Sequence, residues 1–276
     1  MPAPRIHCVG FFCGNPLVSR SSMLSVSDPS MRIDSANGKT KAIPSNFCLS
    51  VVVPVYNECD TIANVVRRLR QTHIPMQIIL VDDGSSDGTR EKVAALGEST
   101  GVVAIHHDVN LGKGAAIRSG IEQATGDVVV IQDADLEYDP CEFHRLMGPI
   151  LEGKADVVYG TRYGHHDRVL YGFWHQTGNA LISFLASCAI GVRFSDVETC
   201  YKMASRKHFQ AILTELTEQR FGIEIELSAR WARLGLRFAE RSISYSPRWY
   251  GDGKKIGWRD GVSAMRCIVK YGFLKR

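Results

Sequence analysis

An α/β fold with a doubly wound, mostly parallel sheet is what this sequence predicts, and three features point to it. Apolar, β-branched runs begin near residues 50, 77, 102, 128 and 156, a cadence of roughly 26 residues that leaves room for one helix between successive strands. Between the runs, apolar residues recur at helical spacing, as in Ile62, Val65, Val66 and Leu69. Each run also ends in polar residues, and the carboxyl ends of the strands are where an open parallel sheet carries its site. At 276 residues, 45% hydrophobic and 22% charged, the chain suffices for one large domain, or one domain with an appendage.

In order along the chain, residues 1–46 are rich in Ser, Pro and Asn without sustained periodicity and read as a disordered leader. Their short apolar patch, Val9–Phe12, is interrupted by Cys13, Gly14, Asn15 and Pro16 and makes a poor secretory signal. Leu49–Tyr56 (LSVVVPVY) is a buried strand closed by Pro54, after which Asp60 is expected to cap a helix. Gln77–Val81 is the second strand, and Asp82-Asp83-Gly84-Ser85-Ser86-Asp87-Gly88 a turn into a helix from about Thr89. Val102–Ile105 is the third strand, Lys113–Ala124 a helix and Val128–Gln132 the fourth strand. A further helix opens near Pro140, followed by a fifth strand at Asp156–Tyr159. Ala180–Val192 is too short to span a bilayer and reads as a core helix or one lying in a membrane interface.

Eight cysteines are scattered with no Cys-X-X-Cys pair, which argues against a zinc site and a disulfide framework and favours a reducing cytosol. The net charge of +4 conceals an asymmetry: residues 230–276 hold 12 Lys/Arg against 3 Asp/Glu, or +9, leaving −5 for residues 1–229. A basic tail on an acidic body suggests a phosphate-rich partner, whether substrate, membrane surface or nucleic acid, or simply a solvated face.

The strand ends hold the chemistry. The first leads into Tyr56-Asn57-Glu58, the second into Asp82-Asp83-Gly84-Ser85 and the fifth into Gly160-Thr161-Arg162. The fourth leads into Asp133 and Asp135, with Glu137 two residues further on. Asp-X-Asp leaving a buried strand offers two hard oxygen ligands, which suit Mg²⁺ or Mn²⁺ on a diphosphate better than zinc; alone it is also an ordinary acidic turn. A Gly-X-Gly-X-X-Gly loop is absent after the first strand, and Asn110–Gly114 lacks P-loop spacing, which demotes a dinucleotide dehydrogenase and a P-loop NTPase.

Taken together, VVVPVYNE (51–58), VDDGSSDGT (81–89), NLGKGAAIRSG (110–120) and DADLEYDP (133–140) resemble a family 2 glycosyltransferase of the GT-A fold. YGTR (159–162), SDVETCYK (195–202), IEIEL (223–227) and GDGKKI (251–256) narrow the resemblance to the polyprenyl-phosphate or dolichol-phosphate glycosyltransferase branch. It implies a nucleotide-sugar-binding and catalytic core over residues 47–229 and a basic helical or loop extension, 230–276, that completes the site. It further implies that Pro54, Tyr56 and Glu58, with Asp83, hold the base and ribose of a nucleotide sugar, and that Lys113 stands near that pocket or its phosphates. Asp133, Asp135 and Glu137 would bind the metal bridging the diphosphate, Arg162 would meet the acceptor phosphate, and Lys254 and Lys255 would lie in a loop closing over the leaving diphosphate.

The chemistry agrees with those roles. Sugar transfer develops oxocarbenium character at the anomeric carbon and negative charge on the diphosphate, so Asp135 with its metal and Lys255 would stabilise the transition state. A lipid monophosphate, with a second pKa near ~6, needs no general base, and Arg162 places it. For a hydroxyl acceptor, the alternative, a carboxylate base becomes obligatory, with Asp196 first and Glu198 second. The expected enzyme is a peripheral, metal-dependent inverting hexosyltransferase at the cytoplasmic face of a membrane, taking a UDP- or GDP-sugar and a polyprenyl phosphate and no nucleic acid. A homo-oligomer or a membrane partner subunit stays open. Trp249, Tyr250, Trp258, Tyr271 and Phe273 either settle at an anionic membrane surface or pack a C-terminal helix onto the sheet.

Overall fold

The structure, a computed structural model, describes residues 43–163, 173–247 and 258–273, with side chains left out at 173–176, 258–260 and 273. Seven strands form one sheet in the order β3-β2-β1-β4-β6-β5-β7. They are β1 (Leu49–Val55), β2 (Met76–Asp82), β3 (Val102–His106), β4 (Val128–Ile131), β5 (Val157–Thr161), β6 (Lys202–Ser205) and β7 (Phe238–Ser242). All pairings are parallel except those of β6, which runs antiparallel between β4 and β5. The five strands expected from the apolar runs are present, and their parallel registers, such as Val51 beside Ile78 and Val130, align the ends that carry the polar residues.

Buried on both faces, the central strands need no alternation, which is why Val51–Val53 and Val128–Ile131 are continuous apolar runs. Helices α1 (Ile62–Gln71), α2 (Thr89–Gly97), α3 (Lys113–Glu122) and α4 (Phe143–Leu151) connect the first five strands. Thr61, not Asp60, occupies the N-cap of α1, and its hydroxyl bonds the Glu58 carboxylate at 2.7 Å instead of capping the helix. The segment Ala180–Val192 falls largely in α5 (Phe173–Ile190), which buries Ala186 and Ala189 and exposes Leu181 and Phe184. Helix α6 (Arg206–Leu213) precedes α7 (Ile223–Arg233), whose residues Ile223–Trp231 are all buried. The C-terminal α8 (Trp258–Cys267) continues as a π-helical stretch, Ile268–Phe273, against α5 and α7.

Upstream of β1, Phe47 is buried, Ile43 packs partly against the core, and the Phe47 amide bonds the Pro44 carbonyl at 3.0 Å. The rest of the expected leader, 1–42, lies outside the described residues. Among the described residues no helix is long and apolar enough to cross a membrane.

Candidate active site

The turn after β2 is a scaffold. Asp83, nearly inaccessible, gives one carboxylate oxygen to His107 (2.7 Å) and the Leu111 amide (3.0 Å), and the other to the Gly112 amide (2.7 Å). It thereby ties the loop before α3 to the end of β2. Gly84, at φ +71°, allows the close approach, since a Cβ there would stand 2.6 Å from the Asn110 nitrogen. Beside it, Glu58 is buried, its amide bonded to Thr89 Oγ1 at 2.8 Å, while Tyr56 is exposed and Pro54 is half-buried. Asn57 and Leu136, in the loops after β1 and β4, adopt positive φ of 50° and 65°. For a leucine that conformation costs ~1 kcal/mol or more.

The loop that Asp83 holds delivers Lys113 to the site. Its ammonium bridges Asp133 Oδ1 at 2.8 Å and Glu224 Oε1 at 2.9 Å. Burial alone would lower the lysine pKa, but the two carboxylates outweigh it and hold the group well above its usual value. Asp135 accepts the Glu137 amide at 3.1 Å, and Glu137 accepts a hydrogen bond from the Tyr245 hydroxyl. Among the described residues no three His, Cys, Asp or Glu side chains converge as a ready-made metal ligand set. The Asp133 position nevertheless selects positive charge, because an ammonium already sits on it. Asp133 and Asp135 fit a hard divalent ion that takes its remaining ligands from diphosphate and water.

Past β5, Arg162 makes a two-pronged pair with Asp196, Nε to Oδ2 and Nη2 to Oδ1 both at 2.7 Å, and its amide also bonds Oδ2 at 3.1 Å. Asn179 of α5 donates to Asp196 Oδ1 at 3.0 Å and to the Tyr163 hydroxyl at 2.8 Å. Burial would raise the Asp196 pKa, but these donors, Arg162 foremost, hold it below the usual carboxylate range. The guanidinium also lies over the Tyr245 ring, 5.3 Å from its centroid.

Lys202 anchors the loop between Asp196 and β6. Fully buried, it donates to the carbonyls of Val197 and Thr199, each at 2.7 Å, and lies 4.5 Å from the Tyr159 ring centroid. Burial pulls its pKa down to about 8, against the pull of Glu224 and Glu198. Glu198, between the two bound carbonyls, has its Oε1 buried without a hydrogen-bond partner, as does Glu224 Oε2. Burial and the Glu224 charge push the Glu198 carboxyl up to about 8.

Residues 50–213 match the family model described as Glycosyl transferase family 2. The chain belongs to glycosyl transferase family 2. Among its relatives, the undecaprenyl-phosphate 4-deoxy-4-formamido-L-arabinose transferases of Serratia proteamaculans and Proteus mirabilis are 33% and 34% identical over 212 residues, 75% of this chain. The chain spans 62% of the length of those relatives. Similar solved structures include glucosyl-3-phosphoglycerate synthase from Mycobacterium tuberculosis with UDP, at a TM-score of 0.63 and 22% identity over 84% of this chain and 82% of that one. Its complex with Mn²⁺, UDP and glucosyl-3-phosphoglycerate gives a TM-score of 0.62 at 22% identity, again over 84% and 82%. At that identity the likeness is one of fold, and the fold is the GT-A arrangement.

In this family 2 chain, the residues singled out from sequence fall into two ion-paired groups, Lys113 with Asp133 and Arg162 with Asp196, with Asp135 and Glu137 in the loop after β4. Lys254 and Lys255 lie outside the described residues, as do Trp249 and Tyr250 and the side chains of Trp258 and Phe273. Tyr271 packs inward, its hydroxyl bonded to Thr217 and Glu218, both at 2.7 Å. Sequence reasoning assigned no role to Glu224, Lys202, Asn179, His107 or Tyr245. A signal existed for two of them: Glu224 is an acid in the first turn of a helix buried all round, and Lys202 is a lone cation entering a buried strand.

Proposed function

We propose that the chain is a metal-dependent inverting glycosyltransferase that moves a hexose from a UDP- or GDP-sugar to a polyprenyl phosphate. The observation that carries the reading is the state of Asp196, whose two oxygens are engaged by Arg162 and Asn179 and whose pKa is depressed. A carboxylate so held is a poor general base and a good orienting group. An acceptor ionised before it arrives needs no base, and a phosphate meets that condition. The relatives named for undecaprenyl phosphate support the same acceptor class, and a neighbour in complex with Mn²⁺ and UDP supports the donor and metal classes.

In this reading Tyr56, Glu58 and Pro54 receive the nucleoside, while Asp83 shapes that pocket through the loop it ties down. Asp133 and Asp135, with Glu137 beside them, would hold Mg²⁺ or Mn²⁺, which when bound neutralises charge growing on the leaving diphosphate. Lys113 stands ready to turn its ammonium from Asp133 to a phosphate oxygen, and Lys254 and Lys255 would add charge from the following loop. Arg162 presents a guanidinium already oriented by Asp196 to the acceptor phosphate, whose oxygen attacks the anomeric carbon opposite the departing diphosphate.

The partner surface is an anionic membrane at its cytoplasmic face. Phe184 is 63% exposed on α5 and Val262 60% exposed on α8, two helices that pack together, and Leu181 and Val269 are further exposed apolar side chains on α5 and on the stretch after α8.

The test is product formation. The purified chain with Mn²⁺, a panel of UDP- and GDP-sugars and a polyprenyl phosphate should yield a lipid-linked sugar with one donor. A donor held at a hundred times its dissociation constant should also stabilise the fold by ~2.7 kcal/mol. Transfer to hydroxyl acceptors alone would replace this reading with the alternative one.

A further inference from the structure

The loop from Ser195 to Cys200 is pinned almost atom by atom. Ser195 bonds Glu240 and Thr161, Asp196 holds Arg162, the Val197 amide meets Ser183, the Thr199 hydroxyl meets the Gly160 carbonyl, and the Cys200 amide meets the Tyr138 hydroxyl. The exception is the carboxyl of Glu198, whose Oε1 is buried without a partner. A second orphan, Glu224 Oε2, comes from the first turn of α7, on a side chain that is itself 5% exposed. Two buried carboxylate oxygens without partners, from two elements at one site, mark places kept for hydrogen bonds from or to a ligand.

Charge balance separates their roles. Arg162 answers Asp196, and Lys113 answers Asp133 and Glu224. The Lys202 ammonium is bonded to two carbonyls and, among the described residues, to no carboxylate. Counted together, the cations Arg162, Lys202 and Lys113 balance Asp196, Glu224 and Asp133, and Glu198 would be a fourth anion. It faces Glu224 from α7, Lys202 from β6, Arg162 from the end of β5 and Asp196 from its own loop. An ionised Glu198 would repel a phosphate dianion arriving at Arg162, whereas a carboxylic acid there would donate a charge-assisted hydrogen bond to it.

We infer that Glu198 meets the acceptor as a neutral carboxylic acid and donates a hydrogen bond to the phosphate held by Arg162, making the site selective for a phosphate acceptor. This rests on the acceptor class proposed above and adds the residue that enforces it. The direction of its titration agrees, since burial and Glu224 keep the proton on the carboxyl through neutral pH. No proton is transferred in this role; the acid is a donor that stays protonated.

The experiment is calorimetric binding of farnesyl phosphate, a soluble lipid monophosphate that remains a dianion from neutral pH upward. The wild-type dissociation constant should be level near pH 7 and weaken by about tenfold per pH unit once Glu198 ionises above about 8. Glu198→Gln, which keeps a donor and cannot ionise, should match the wild type at pH 7 and stay level into the alkaline range. Glu198→Ala should bind about tenfold more weakly and also stay level. Repeating the wild-type titration above pH 8 in buffers of different ionisation enthalpy should show uptake of close to one proton, a readout independent of any variant.

An alkaline limb that persists in Glu198→Gln belongs to Lys202 and overturns the inference while leaving the acceptor class intact. Loss of binding in Glu198→Gln at pH 7 equal to that in Glu198→Ala, or absence of proton uptake by the wild type, overturns it as well. Failure of the wild type to bind farnesyl phosphate at pH 7, together with transfer to a hydroxyl acceptor that Glu198→Gln abolishes, overturns the acceptor class and makes Glu198 a base.

Discussion

Single side chains here act in opposed pairs, and removing one member leaves the other exposed to its environment. Arg162→Ala strips the buried Asp196 of its counter-charge, so two effects should appear together: an acceptor KM raised by about tenfold or more and a stability loss of about 3 kcal/mol. Steady-state kinetics and urea unfolding read the two separately, and an unchanged acceptor KM would remove Arg162 from the acceptor site. Asp196→Asn tests the same pair from the other side. The Asp196 pKa is depressed in the folded state, so its contribution to stability is complete above the unfolded carboxylate pKa of ~3.9 and is lost as pH falls through the folded value. Wild type should therefore lose stability on acidification more steeply than the variant. With a phosphate acceptor the variant should retain part of its turnover; complete loss restored by no change of pH would point to a base. On the metal side, Asp135→Asn should remove most activity while keeping the fold, and EDTA should abolish wild-type transfer until Mg²⁺ or Mn²⁺ is returned. Full activity of that variant in chelator would sink the assignment.

At the scale of elements, the site depends on how loops are tied to strands. Asp83 clamps the turn after β2 to the loop that starts α3, and Lys113 is the first residue of that helix. Gly84→Ala would force a Cβ against the Asn110 backbone at an unfavourable φ of +71°, at a cost of ~1–2 kcal/mol from the left-handed backbone alone. A fall of several degrees in Tm should follow, of order 2–4 °C per kcal/mol for a chain of this size. Because the displaced loop carries Lys113, donor KM should rise more than acceptor KM, and equal changes in both would uncouple the loop from the donor side. Helix α7 shows the same economy. Buried around its whole circumference, it settles Glu226 with Arg230 at 3.0 Å and with the amides of Thr217 and Glu218 at 2.9 and 2.7 Å, and keeps Glu224 for Lys113.

For the whole molecule, part of the charge asymmetry is resolved internally. Arg230 pairs with Glu226 and Glu215, Arg237 with Asp156, and Lys270 with Glu218, so several of the tail's cations face the acidic body rather than a partner. For the membrane docking proposed above, the apolar side chains exposed on α5 and α8 are the candidate surface. Binding to vesicles containing anionic lipid should therefore fall with salt but keep a salt-resistant part. Screening shortens from ~10 Å at 0.1 M to ~3 Å at 1 M, while apolar insertion is not screened. Phe184→Ser with Val262→Ser should remove the resistant part in a sedimentation assay, with circular dichroism as the fold control. Indifference of the intact protein to anionic vesicles at low salt would refute docking by this surface.

What the sequence by itself determined was everything carried by local pattern. The apolar runs set the first five strands, their spacing set the parallel crossovers, and the polar strand exits supplied the candidate site residues, because burial on both faces keeps the middle of these strands apolar. Tertiary structure alone decided the rest. Strand β6 runs antiparallel between β4 and β5, an insertion that Lys202–Ser205, four residues with no β-branched or aromatic side chain, does not announce. The partners of Lys113 lie 20 and 111 positions away along the chain, and two of those of Asp83 are backbone amides, which have no sequence signature at all. Whether an acid is a base, a ligand or an orienting group depends on which cations and donors reach it. That is why Asp196 and Glu198, two residues apart in one motif, have pKa values displaced in opposite directions.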